Sequence, residues 1–325
     1  MRGTGIDSDA WQQHAWLNRL QSVALLGFMG GFLALLGWLL WGGAGVITLL
    51  VVGVLGVFLN PSTSPRWVMK MYGASRLGRD QAPGLWSALE VLSQRAGLPR
   101  IPDLYYVPSG MLNAFAVGHP AGSAIALTDG LLQNLDDREL LAVLAHEMSH
   151  IRNNDLWVMG LADVFSRATS FLSLFGQLLL LVNLPLVWAG SAAINWFAIA
   201  LLIFAPNLSA LAQLALSRTR EYDADLNAVR LTGDPQGLAR ALLKIEKVQG
   251  GWLERILLPG RRVPEPSLLR THPRTEDRVR RLAELAGQHE VLGLHGSDMS
   301  QHVPRHVVRP RVARRPRWHI DGLWH

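Results

Sequence analysis

His146-Glu147-Met148-Ser149-His150 is the stretch on which the reading of this chain turns. Four residues apart on a helix, His146 and His150 share one face, so both imidazoles can be aimed at a single metal ion. Glu147 follows the first histidine by one residue, near enough to act on a water at that metal without ligating it. The surroundings read as a helix. Asp136 with Glu139 three residues later has the form of a capping box, and Leu140, Leu141, Val143, Leu144, Met148 and Ile151 supply an apolar side. The alternative is an amphipathic helix whose histidines merely face solvent, and the rest of the chain has to decide between the two.

Outward from this helix the chain has two long stretches without a charged side chain, one between Arg19 and Arg66 and one between Arg167 and Arg218. A membrane-spanning helix takes about 20 apolar residues, so each stretch has room for two. The first divides near Trp41-Gly42-Gly43-Ala44-Gly45, the second within 183–195, which contains Pro185 and Gly190. Trp38 and Trp41 flank the first turn and Trp188 and Trp196 the second, as expected of indoles at headgroup depth. The pattern predicts two helical hairpins and four spans. Its rival is one long helix through the first block, which would move the N-terminus to the other side. A soluble core has little use for uncharged blocks of this length, and a signal-peptide core is far shorter.

Charge sets the orientation. The hairpin turns carry no Lys or Arg, whereas Arg66, Lys70, Arg76, Arg79, Arg167, Arg218 and Arg220 border the hairpins. The positive-inside rule then places every charged segment on the cytoplasmic side of a bacterial-type plasma membrane. The 325 residues carry a net charge of +6, and part of that excess lies after Gly296, where six Arg and four His mix with Pro in a segment with the composition of a disordered tail. No nucleic-acid motif accompanies it. The absence of Cys suits a reducing compartment and removes thiolates as metal ligands.

The remaining segments alternate helix and strand signals. A helix is expected over 83–97 with Gly97 closing it, followed by short strands at 104–107, 113–117 and 123–128. The metal helix covers 136–152, and further helices are expected at 217–231, 235–248 and 275–286. The fold class read from this is mainly α with a small β-sheet. In domain terms, 1–19 is an N-terminal cytoplasmic segment, 20–62 the first hairpin, 63–165 the first part of a catalytic domain, 166–217 the second hairpin, 218–292 the second part, and 293–325 the basic tail.

A catalytic metal site of this kind needs a third protein ligand, which without Cys must be His, Glu or Asp. Glu221 and Asp225 lie one helical turn apart, so Glu221 can reach the metal while Asp225 orients a histidine through its other ring nitrogen. Spacing alone leaves Asp223 almost as good a ligand.

Four blocks together carry a family resemblance: Asn113-Ala114-Phe115-Ala116-Val117-Gly118; Leu144 to His150 with Arg152-Asn153; Ser217-Arg218 through Asp225; and Thr271-His272-Pro273 with Arg278. In this order, with an apolar hairpin between the second and third, they resemble the HtpX-type membrane zinc metalloproteases and, more distantly, the prenyl-protein (CAAX) proteases. Val117 departs from the pattern, since relatives often carry a small hydroxylated residue there.

The resemblance implies a zincin-like metallopeptidase domain joined to transmembrane hairpins, with one catalytic zinc held by His146, His150 and Glu221. Asp225 is then the outer partner of a ligand, and Glu147 is the general base. His272 and Arg278 stabilise the transition state, and Asn113 and Ala114 belong to the strand that holds substrate backbone. The implied activity is endoproteolysis of misfolded or damaged membrane proteins at the cytoplasmic face, in quality control under stress. The expected partners are polypeptide substrates and the bilayer, without nucleic acid. A dedicated prenyl-protein protease, or a non-catalytic membrane scaffold or metal carrier, are the alternatives. The intact Glu147 disfavours the carrier, since metal storage needs no base.

Overall fold

The computed structural model describes residues 8–58, 64–188, 196–249 and 275–291. The elements in chain order are α1 (Ser8–Phe58), α2 (Pro65–Met71), β1 (Ser75–Arg76), α3 (Pro83–Ala96), β2 (Asp103–Val107), β3 (Ala114–His119), β4 (Gly122–Thr128), α4 (Asp129–Asn134), α5 (Asp137–Arg152), α6 (Asp155–Trp188), α7 (Trp196–Thr232) and α8 (Pro235–Gln249), then a last helix, α9 (Thr275–Val291). The fold is mainly helical with one small sheet.

Although α1 is helical almost throughout, it reverses direction in the middle. Trp41 and Gly42 leave the helical region, with φ/ψ of −138°/16° and 61°/−145°. Gly37 and Gly45 then face each other so closely that a methyl group on Gly45 would collide with the Gly37 carbonyl. On a continuous helix two residues eight apart are separated by about 12 Å. The chain therefore turns back on itself, and Leu36 and Leu49 from the two arms meet Leu172 of α6 and Leu202 of α7 in one buried cluster.

Among the described residues three helices are long and apolar enough to cross a membrane: the stretch Trp16–Leu49 in α1, Asp155–Pro185 in α6, and all of α7. Their outer faces carry bare apolar side chains, among them Val182, Trp188, Trp196 and Phe197, each more than two-thirds exposed. Such a surface is stable against lipid and costly against water. Arms α6 and α7 are tied by polar contacts as well: Ser166 reaches Ser209 at 3.1 Å and donates to Gln213 Oε1 at 2.7 Å, and Ser173 donates to the Leu202 carbonyl.

The second core lies beneath the sheet. Its strand order is β1-β2-β4-β3, with β2 and β4 parallel and β3 antiparallel to β4. β3 and β4 join through a tight turn in which His119 pairs with Gly122. Gly118 just before it has φ of 100°, and a Cβ there would strike the Gly122 carbonyl, so only glycine fits. α3 begins with Pro83, ends on Gly97 in the left-handed conformation, and buries Leu85, Leu89 and Leu92. α5 buries Leu140, Leu144, Met148 and Ile151 against the same core, which Val229 and Leu231 of α7, Leu238 of α8 and Leu282 of α9 complete. Segments on either side of the α6–α7 hairpin thus share one hydrophobic interior.

Two differences from the sequence reading concern extent. The helix expected to begin at 217 is the C-terminal end of α7, which runs without interruption from the apolar segment. No break is needed there because the polar side chains are satisfied without one: Thr219 donates to the Ala215 carbonyl of the same helix, and Arg220 and Glu221 meet partners on neighbouring helices. The short elements β1, α2 and α4 are additional. Each is at most seven residues long, below the length at which periodicity speaks. The tail at 293–325 lies outside the described residues.

Candidate metal centre

α5 starts where local chemistry dictates. The Asp136 side chain accepts from the Glu139 N–H at 2.8 Å and the Glu139 carboxylate accepts from the Asp136 N–H at 2.9 Å, a complete capping box. Glu139 is itself buried and takes the Lys244 ammonium of α8 at 2.6 Å. A helix anchored at this point presents His146 and His150 on one face, four residues on from each other. Glu147 sits beside His146, half-buried.

The third donor comes from α7. Glu221 Oε2 lies 3.5 Å from His146 Nε2, Glu221 Oε1 lies 3.5 Å from His150 Nε2, and the two Nε2 atoms are 3.1 Å apart. These distances test whether the residues suit a metal. Zinc–nitrogen and zinc–oxygen bonds of about 2.0–2.2 Å in a tetrahedron require donors about 3.3–3.6 Å apart. The two Glu221 separations, one from each carboxylate oxygen, fall in that range, the two Nε2 atoms stand slightly closer than it, and the donor set of two imidazoles and one carboxylate suits zinc. Among the described residues this is a group of three whose ligand atoms all lie within 4.8 Å of one another.

The outer ring nitrogens support the same reading. Asp155 Oδ2 lies 2.8 Å from His150 Nδ1, and Asp225 Oδ1 lies 3.0 Å from His146 Nδ1, though the latter is not aligned as a linear hydrogen bond. A carboxylate accepts, so the proton belongs on Nδ1 and the lone pair on Nε2 faces the common centre. Both carboxylates are held by arginines. Arg278 of α9 places Nε 2.7 Å from Asp225 Oδ2 and Nη2 2.6 Å from Oδ1, with Nη1 3.3 Å from Glu221. Arg220 places Nε 2.6 Å from Asp155 Oδ1. Every one of these side chains except His150 is more than nine-tenths buried.

Charge state follows from this crowding. Burial alone would push the His146 imidazole down, but contacts with Asp225 and Glu221 outweigh it and push it up to about 10. His150 is also raised: burial opposes it, and the Asp155 contact prevails. Arg278 loses from burial and gains more from Asp225 and Glu221, with Glu147 adding to the effect, so it stays charged.

The remaining residues singled out in the sequence are placed as follows. Asn113 precedes β3, where its N–H donates to the Thr128 hydroxyl at 2.9 Å and its carbonyl accepts from that hydroxyl at 2.8 Å; Ala114 opens the strand. β3 is the terminal strand of the sheet and packs against α5. Asp223, the rival ligand, points elsewhere: it accepts from Asn153 Nδ2 at 2.9 Å at the α5–α6 junction. His272 lies outside the described residues. The sequence reading missed Asp155 and Arg220. Asp155 follows His150 by five residues, off any helical face, and reaches it because α5 ends at Asn153 and Asn154 takes a left-handed φ of 57° before α6 begins. The Asn153-Asn154 pair was the available signal, as a helix stop immediately followed by an acidic helix start.

Comparison with known proteins agrees with this geometry. Residues 80–286 match the model of peptidase family M48. A protein named Protease HtpX homolog from Aquifex aeolicus (strain VF5) is 38% identical over 272 residues, covering 79% of this chain and 89% of that protein. Proteins of the same name from Sulfurihydrogenibium sp. (strain YO3AOP1) and Acaryochloris marina (strain MBIC 11017) are each 35% identical, covering 83% and 84% of this chain and 96% of theirs. The crystal structure of S. mikatae Ste24p is a looser likeness, at 21% identity and a TM-score of 0.45 over 83% of this chain and 66% of that one. With its long apolar helices and its His-His-Glu cluster, the chain is a membrane protein that belongs to peptidase family M48, among the HtpX-type members.

Proposed function

We propose that this protein is a zinc-dependent endopeptidase that cleaves exposed stretches of misfolded or damaged membrane proteins at the cytoplasmic face. The observation that carries the reading is the meeting of His146, His150 and Glu221 with their donor atoms 3.1–3.5 Å apart, and Glu147 adjacent to His146. Zinc held by these three residues supplies Lewis acidity, lowering the pKa of a water to about 7 and polarising a carbonyl.

The chain's own residues do the rest. Glu147 takes a proton from the attacking water onto its carboxylate and returns it to the leaving amine. Asp225 and Asp155 keep the two imidazoles in the Nδ1–H form, and Arg278 and Arg220 keep those carboxylates charged and in place. A substrate backbone adds as a strand to the outer edge of β3, beginning at Asn113 and Ala114, which reads main chain more than side chain and gives broad selectivity. His272 is assigned to the oxyanion by the resemblance.

Orientation and span count belong to the same proposal. We count the reversal in α1 and the pairing of α6 with α7 as four crossings, and the positive-inside rule, applied to the Arg residues that border them, puts the metal centre on the cytoplasmic side. Cleavage at this level favours loops and unfolded ends of membrane proteins.

The test is cleavage of β-casein, and of an unfolded membrane protein in liposomes, by the full chain purified in detergent, stripped with a chelator and given zinc. Zinc-restored cleavage that Glu147→Gln removes while the metal stays bound is the expected result. Inertness of the folded, zinc-loaded chain towards both substrates would overturn the protease reading. Cleavage confined to a prenylated C-terminal peptide would replace the substrate class.

A further inference from the structure

The two histidines of the centre are supported from different parts of the molecule. His146 is backed by Asp225 and Arg278, the latter from the cytoplasmic helix α9. His150 is backed from the membrane hairpin: Asp155 is the first residue of α6, and Arg220 lies on α7 immediately before the ligand Glu221. Asp155 divides its oxygens between the two, Oδ2 to His150 Nδ1 at 2.8 Å and Oδ1 to Arg220 Nε at 2.6 Å, with Arg220 Nη2 closing a second bond to Oδ1. Asp155 is 3% exposed and Arg220 7%, so neither charge is shared with water.

Two further features point to a built arrangement. Asp155 is brought back onto His150 only by the left-handed turn at Asn154, a conformation that costs a non-glycine residue free energy. The turn is itself held, because its neighbour Asn153 donates to Asp223 on α7 at 2.9 Å and Asp223 lies 3.9 Å from Arg220. The base of the hairpin is thus closed by polar contacts from α6 and the α5–α6 junction to one turn of α7, and the turn that receives them carries the third ligand.

We propose that Asp155 is a positioning residue for the second histidine ligand and that Arg220 clamps it, so that the metal centre is complete only while the bases of α6 and α7 are held together. This rests on the metal-centre reading above. Moving Asp155 away from Arg220 lets its carboxylate turn, frees the His150 ring about its side-chain bonds, and removes the bias towards the Nδ1–H form. Partners of this kind typically change metal affinity by about 10–100-fold.

The experiment is cobalt(II) and zinc binding to the full chain in detergent, by chelator competition and by the visible cobalt spectrum, for wild type, Asp155→Ala, Asp155→Asn and the double variant Asp155→Ala/Arg220→Gln. The double variant removes both members of the Asp155–Arg220 pair, Asp223 keeps its bond from Asn153 after losing the Arg220 charge, and Asn at 155 still accepts from Nδ1–H. Melting of the chelated proteins is recorded alongside. We expect the double variant to melt near wild type yet bind both ions about 10–100-fold more weakly with altered cobalt bands, and Asp155→Asn to recover most of the affinity and the native bands. Wild-type affinity and spectrum in the double variant would overturn the proposal. So would Asp155→Asn binding as poorly as Asp155→Ala while melting like wild type. Failure of the wild-type chain to bind either ion would instead overturn the metal-centre reading itself.

Discussion

Arg278 meets Asp225 fork to fork, Nε to Oδ2 at 2.7 Å and Nη2 to Oδ1 at 2.6 Å, with both side chains about one-twentieth exposed. The pair joins α9 to the helix that carries Glu221, and it supplies the positive charge that lets a carboxylate remain buried against His146. Removing one partner of such a pair leaves the other charged without compensation, which costs about 3–5 kcal/mol. Arg278→Ala should lower the melting temperature of the chelated protein by a corresponding amount. Arg278→Lys should fall between, since an ammonium cannot make both bonds. Melting of the alanine variant at the wild-type temperature would show that Asp225 finds another partner.

Glu147 can be separated from metal binding. Glu147→Gln keeps the size of the side chain and removes the base, so bound metal should stay at one ion per chain while turnover of an unfolded substrate drops about 10²–10⁴-fold. Metal analysis and a cleavage assay on the same preparation read both quantities. Loss of the metal together with activity would count against Glu147 as base.

Proton and metal compete for His146. Its imidazole is held charged up to about 10 by Asp225 and Glu221 against the opposing effect of burial, compared with an ordinary value of 6.5. Metal binding must expel that proton, so apparent zinc affinity should weaken about tenfold for each unit the pH falls below that value. The chelated fold behaves in the opposite sense. A raised pKa contributes stability that is fully present below the ordinary value and is lost as pH rises through the folded one. Zinc should therefore raise the melting temperature more at pH 8.5 than at pH 6.5, and a pH-independent increment would contradict the assignment.

The absence of Cys makes the topology directly testable, because single cysteines can be added without background. Gly43 sits in the exposed turn of α1 and Ser75 is exposed on β1. Gly43→Cys should react with an impermeant maleimide from the periplasmic side of spheroplasts, and Ser75→Cys only after the membrane is opened. Labelling of both from one side would rule out the four-span orientation.

Much of the local architecture is legible in the sequence alone. The capping box at Asp136 and Glu139, the stop at Gly97 and the shared face of His146 and His150 depend on interactions across three or four residues, which a helix converts directly into geometry. The charge-free blocks were equally plain, since transfer of a long apolar stretch out of water dominates whatever its neighbours do. Glu221 and Asp225 were visible as a helical pair, but Asp223 two residues away had the same chemistry, and spacing could not choose between the ligand and its neighbour.

Tertiary structure made that choice. Asp223 faces Asn153 and Glu221 faces the histidines because α7 crosses α5 at one rotation about its axis, and that rotation is set by packing along its whole length. It also brought Asp155 onto His150 through a left-handed residue and Arg278 onto Asp225 from 53 positions away. The sequence by itself determined the helices, the apolar arms and the two histidines on one face, because those follow from periodicity and hydrophobic transfer. Only the tertiary structure decided which acids and arginines surround the centre, because their pairing follows from the exclusion of water and the need to match each buried charge with another.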